Sequence, residues 1–154
     1  MKYMFMRFPK GKAKAVTLSY DDNTIDNVRL ADTLTRYGIK CTFNLNTDGT
    51  TTLLKQTDIE EHIIKNGHEI AVHGLNHGAP GIIRPIEGIK DVLNSRLELE
   101  SRYGMIIRGM AYPDSGIKKM IPGNDYDSIR KYLVDLGIVY SRTLGGDNDN
   151  FDLP

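Results

Sequence analysis

Two histidines stand four residues apart in the run His73-Gly-Leu-Asn-His77, and two aspartates, Asp21 and Asp22, stand side by side after the stretch Ala-Val-Thr-Leu-Ser-Tyr. On a helical turn, a four-residue spacing brings both imidazoles to one face, close enough to share an ion. A carboxylate from a neighbouring loop would add a third, oxygen ligand. Two histidines and one carboxylate leave a zinc-like ion with a position open to water, the arrangement of a catalytic rather than a structural site. A single Asp suffices as the N-cap of a helix beginning near Thr24. Two adjacent aspartates repel one another unless a cation or a proton lies between them. Their side chains point in different directions, so one can bind an ion while the other faces its water.

These residues need a scaffold, and one unit recurs along the chain: an amphipathic stretch, a glycine, then a short apolar run rich in β-formers. Its four copies pass through Gly38, Gly67, Gly104 and Gly137. Glycine accepts the left-handed backbone of a helix C-cap without steric cost, so each copy reads as helix, stop, strand. Apolar residues at helical spacing precede each glycine, among them Ile25, Val28, Leu30, Ala31 and Leu34 before the first, and Ile89, Val92, Leu93, Leu97 and Leu99 before the third. With a first strand over Ala15 to Tyr20 and a fifth near Ile138 to Ser141, the order predicts a mostly parallel sheet covered by helices. The pattern admits either an open doubly wound sheet or a barrel.

In such folds sites form beyond the carboxyl ends of the strands. Asp21 and Asp22, Asn44 and Asn46, His73 and His77, the run Tyr112, Pro113 and Asp114, and Arg142 all fall on that rim.

Composition narrows the partners. The 154 residues, 40% of them apolar, suit a single domain over 1–154, and Lys plus Arg balance Asp plus Glu at 20 each. No net positive field draws nucleic acid or anionic lipid. No apolar run approaches the roughly 18 residues that cross a bilayer, and Arg7, Pro9 and three lysines interrupt the N-terminal apolar residues. A cytoplasmic, soluble chain is the expectation, unless an upstream leader has been removed. The single cysteine, Cys41, reads as a small buried side chain.

The motifs resemble those of the polysaccharide deacetylase family, also known as the NodB homology domain or carbohydrate esterase family 4. Ser19-Tyr20-Asp21-Asp22 is similar to its first motif, T-F-D-D. His73-Gly-Leu-Asn-His77, preceded by Asn-Gly-His-Glu-Ile-Ala-Val, is similar to its second, and Gly109-Met-Ala-Tyr-Pro113 lies where a third is expected. The resemblance runs from about Ala15 to about Tyr140. It implies a distorted (β/α) barrel in which Asp22, His73 and His77 bind a divalent metal, most simply zinc, with cobalt, nickel or manganese as alternatives. It also implies that Asp21 is the general base; Tyr112 and Pro113, in the third motif, are the candidates for contact with substrate. The implied reaction removes acetyl groups from N- or O-acetylated carbohydrate. The same chemistry would serve a small amide or cyclic imide, and a relative that only binds metal or carbohydrate is the non-enzymatic alternative.

The sequence departs from the family pattern in three places. Gly74 replaces the Ser or Thr that usually follows the first histidine. Ala111 and Tyr112 stand where an arginine is usual, leaving Arg108 upstream. The later motifs, with a tryptophan and a general-acid histidine, have no counterpart, and the last histidine is His77. The expectation is therefore a domain truncated at its C-terminal end, with an unpaired sheet edge and exposed apolar surface through which copies associate. Other polar residues read as structural. His62 is a solvated helix residue, His68 opens a strand at an edge position, Tyr20 and Tyr112 can either pack or line a sugar groove, and the acidic run Asp147 to Asp152 is a solvated turn.

Overall fold

The computed structural model describes residues 8–47, 54–114, 117 and 119–143. The acidic run near the C-terminus and part of the loop after Thr47 lie outside the described residues. Five strands alternate with helices: β1 (Ser19–Asp21), α1 (Asp26–Arg36), β2 (Thr42–Leu45), α2 (Gln56–Asp58, continuing as a π-helix over Ile59–Ile64), β3 (Glu69–Val72), α3 (Pro85–Tyr103), β4 (Gly109–Ala111), α4 (Tyr126–Asp135) and β5 (Tyr140–Arg142). The four punctuating glycines all have positive φ, from 63° at Gly104 to 73° at Gly137, and Gly104 is the left-handed C-cap of α3. The first strand is shorter than the sequence suggests, beginning at Ser19 rather than Ala15. It lies at the sheet margin, with Val16 88% exposed, so few neighbours reward extended pairing there.

All strand pairs are parallel, in the order β1-β2-β3-β4-β5. A doubly wound sheet reverses its strand order partway, whereas this sheet winds in one direction, as a (β/α) barrel does. Curvature follows from one contact: Arg142 on β5 hydrogen-bonds Ser19 Oγ at 3.0 Å and pairs with Asp21 on β1. In a flat sheet these strands would stand four spacings, about 19 Å, apart, beyond any arginine's reach. The sheet is therefore curled into a half-barrel.

Side-chain alternation divides the two faces. Phe43, Leu45, Ile70, Val72 and Met110 point outward into the buried cluster formed with Ala31, Leu34, Ile63, Val92, Leu99, Ile129 and Leu133. The concave face is polar and small. Thr42 Oγ1 donates to Glu69 at 2.6 Å, Asn44 Nδ2 to Ser19 Oγ at 2.8 Å, and the Tyr140 ring lies over Gly109, where a Cβ would stand 2.2 Å from its hydroxyl. Exposed apolar side chains flank both edge strands, Val16, Leu18 and Tyr20 at or just before β1 and Val139 and Tyr140 at β5. No helix of the described residues is long and apolar enough to cross a membrane.

Candidate metal centre

The carboxyl ends of β1, β2 and β3 bring the polar residues together. His73 follows β3 and is 2% exposed. Its Nδ1 lies 2.9 Å from the Ala111 carbonyl on β4. A carbonyl only accepts, so Nδ1 carries the proton and the lone pair of Nε2 faces the rim. Burial, more than any neighbour, lowers the His73 pKa, and this favours the neutral imidazole that can bind a metal.

Asp22 Oδ1 lies 3.8 Å from Nε2 of His73 and 3.8 Å from Nε2 of His77, and the three donor atoms all fall within 4.8 Å of one another. A tetrahedral ion with bonds of about 2.0–2.1 Å needs donors about 3.3–3.4 Å apart. Small side-chain rotations close that difference, so the donor set fits a divalent metal. Asp22 has φ 66°, held by Asn27 Nδ2 on its carbonyl at 2.6 Å and Asn46 Nδ2 on its Oδ1 at 3.0 Å. Asn46 is fixed in turn by reciprocal bonds with Asn23.

The histidines do not lie on a helical turn, as their spacing suggests. They flank a loop in which Gly74 has φ 84° and His77 itself has φ 55°, and their rings meet edge-on with centroids 4.8 Å apart.

Asp21 stands beside this cluster. Its Oδ1 accepts from Asn44 Nδ2 at 2.9 Å and pairs with Arg142 Nη2, leaving Oδ2 toward the rim, 4.0 Å from His73 Nε2. The arginine at the site thus comes from β5 rather than from the third motif. Arg108 precedes β4 at its opposite end, three residues or about 10 Å from Ala111.

The structure places Tyr112 in the core at 4% exposure, with its hydroxyl near Ser141 and its pKa pushed up by burial to about 12. Pro113 is buried beside it, while Asp114, with φ 48°, presents Oδ1 3.7 Å from His77 Nδ1. Tyr20, by contrast, is 45% exposed. Sequence reasoning put Asn44, Asn46, Asp114 and Arg142 on the rim without giving them roles. An asparagine buried within the strand Thr-Phe-Asn-Leu was the available signal for Asn44.

His68 and His62 lie away from the centre. His68 is buried rather than at an edge: Nδ1 accepts the Cys41 amide at 3.1 Å, and Nε2 lies 2.9 Å from Thr35 Oγ1 and 3.2 Å from the Ala31 carbonyl. His62 pairs with Asp32 at 2.8 Å on the surface. Cys41 is buried, and burial raises its thiol pKa to about 11, which leaves it unreactive.

The model of the family described as polysaccharide deacetylase matches residues 9–138. No curated protein matches the chain in sequence. Among solved structures, the Streptococcus pyogenes deacetylase PplD in complex with acetate superposes with a TM-score of 0.71 at 21% identity, covering 86% of this chain and 56% of that one. The chitin deacetylase of the fungal pathogen Colletotrichum lindemuthianum gives 0.64 at 18% identity, covering 83% and 54%. BA3943 from Bacillus anthracis, a CE4 family pseudoenzyme, gives 0.60 at 16% identity, covering 82% and 42%. The chain thus spans about half the length of the structures it resembles.

Proposed function

The chain belongs to the polysaccharide deacetylase family, and on that premise we propose that it is a metal-dependent hydrolase removing acetyl groups from N- or O-acetylated carbohydrate. The observation that carries the reading is the convergence of Asp22 Oδ1, His73 Nε2 and His77 Nε2 beside a second, separately tethered carboxylate. Those three atoms would hold the ion, with zinc the first choice and cobalt, nickel or manganese compatible with the same mixture of nitrogen and oxygen donors. When bound, such an ion polarises an acetyl carbonyl and acidifies water.

Within this scheme Asp21 takes the proton from the attacking water at Oδ2, because Oδ1 is already engaged by Asn44 and Arg142. Asn44 and Arg142 hold the carboxylate in place, and the Ala111 carbonyl fixes the tautomer of His73. Acetate is the product this reaction releases, and it is the molecule held in the PplD structure.

Fold alone does not separate turnover from binding, since the Bacillus anthracis pseudoenzyme shares it. The test is acetate release from acetylated chito-oligosaccharide, peptidoglycan fragments and small amides, with zinc supplied and then removed by chelation. Metal-dependent release from the sugars supports the proposal. Release from small amides alone moves the assignment to amidohydrolase, and metal uptake without release from any substrate leaves a binding protein.

A further inference from the structure

We propose that Asp91, on α3 and outside the metal ligands themselves, is a positioning residue that shapes the loop carrying His73 and His77. The inference rests on the metal reading above for its functional meaning, but its geometry stands alone. Asp91 is 7% exposed, and among the described residues no lysine, arginine or histidine forms an ion pair with it. What faces it is the backbone of the histidine loop, with the Asn76 side chain. Oδ1 accepts the Asn76 amide at 2.8 Å; burial, the largest influence, raises the Asp91 pKa, and the Asn76, Leu75 and Gly78 amides with the Asn76 side chain work against that rise. Successive amides aimed at one point make an anion-binding concavity, and here the anion is a side chain of the same chain.

Gly74 shows how closely the loop is moulded on this carboxylate. A Cβ at Gly74 would lie 2.4 Å from Asp91 Oδ2, and its φ of 84° is one that side chains rarely adopt. Oδ2 has no hydrogen-bond partner, so it contributes shape and charge rather than a second bond. Burying a carboxylate without a cation is costly, and an apolar side chain would fill the same space at less cost. The loop it braces begins at His73 and turns back at His77, whose own φ is 55°. With the carboxylate removed, nothing else among the described side chains bonds the Asn76 amide, and the two imidazoles lose their fixed separation.

The experiment uses the whole chain with Asp91→Asn, Gly74→Ala and the double variant Gly74→Ala with Asp91→Ala. In metal-free protein, amide hydrogen exchange at Leu75, Asn76 and Gly78 should quicken roughly tenfold or more in Asp91→Asn, with protection in β2, β3 and α1 unchanged. Cobalt(II) titration should show affinity lowered by roughly 10- to 100-fold, the range for groups that orient metal ligands, with an altered d–d spectrum. Gly74→Ala should weaken cobalt binding too, and Asp91→Ala should relieve part of that loss by removing the collision.

Wild-type exchange and cobalt affinity in Asp91→Asn would overturn the inference. So would exchange that quickens uniformly across the sheet, which marks a general stability role. A wild-type protein that takes up no cobalt would refute the metal reading instead, and the exchange data would still decide whether Asp91 orders the loop.

Discussion

Arg142 offers the sharpest test of how the site is assembled, because it reaches Asp21 from the far edge of the curled sheet. Replacing it by Gln removes the charge, the contact to Asp21 and the fork to Ser19 Oγ, while Asn44 still holds Asp21 Oδ1 at 2.9 Å. A hydrogen bond between charged groups contributes about 1.5–3 kcal/mol, and a fully exposed pair about 0–1 kcal/mol. This pair, with side-chain exposures of 33% and 23%, falls between them, at about 1–2 kcal/mol. At 1.36 kcal/mol per tenfold, this is a loss of about 5- to 30-fold in rate. On the proposed mechanism the arginine acts on the base and not on substrate, so the loss should appear in kcat with KM and metal content unchanged. Arg142→Lys should recover only part of it, because a single ammonium cannot make both contacts of the guanidinium fork. Steady-state acetate release, paired with metal analysis and circular dichroism, measures all three. A folded Arg142→Gln protein with wild-type kcat, or one that loses metal in proportion to activity, refutes the assignment of Arg142 as the tether of a general base.

The two aspartates should fail differently. Asp22→Asn replaces an anionic ligand by a weak neutral one and should empty the site, whereas Asp21→Asn should keep the metal and lower turnover by roughly 10²–10⁴; metal content that follows Asp21 instead would reverse the roles. His68 should make stability depend on pH. Burial, its largest influence, lowers the folded pKa below the ordinary value of 6.5, so its contribution is present above about pH 6.5 and is lost as pH falls through and below that value. Buried His73 adds to the slope in the same direction. Urea denaturation of metal-free protein at pH 5 and pH 7.5 should show lower stability at the acid end, and His68→Gln should shrink the difference; an unchanged difference would show that His68 does not titrate with folding.

Much of this was legible in the sequence because it depends on periodicity and on punctuation. The four glycines after amphipathic stretches sit where helices stop, and the alternation of helix with strand leaves few topologies. What periodicity does not carry is curvature. The choice between an open sheet and a barrel was decided by a contact between Arg142 and β1, residues separated by nearly the whole chain. The convergence of Asp22, His73 and His77 was readable from their place beyond the strand ends, but the means of convergence was not. A spacing of four suggests a helical turn, and the chain uses instead a loop with two left-handed residues.

Helix α3 shows where a reading by apolar pattern stops and a reading by site begins. Its apolar residues predict a buried stripe through Ile89, Val92, Leu93, Leu97 and Leu99, yet Leu97 is 48% exposed, while Gly88, Asp91 and Ser95 share the buried face with Val92 and Leu99. Gly88 permits the close approach of Tyr132 from α4, since a Cβ there would meet its hydroxyl at 2.8 Å. Asp91, one turn on, faces the histidine loop. A helix that gives a core position to a carboxylate departs from the rule that charges are buried only when paired, and such departures concentrate where structure serves a site. In place of a cation, Asp91 meets backbone amides and the Asn76 side chain on the segment that carries both imidazoles. The same feature therefore explains the helix's irregular face and the glycine at position 74.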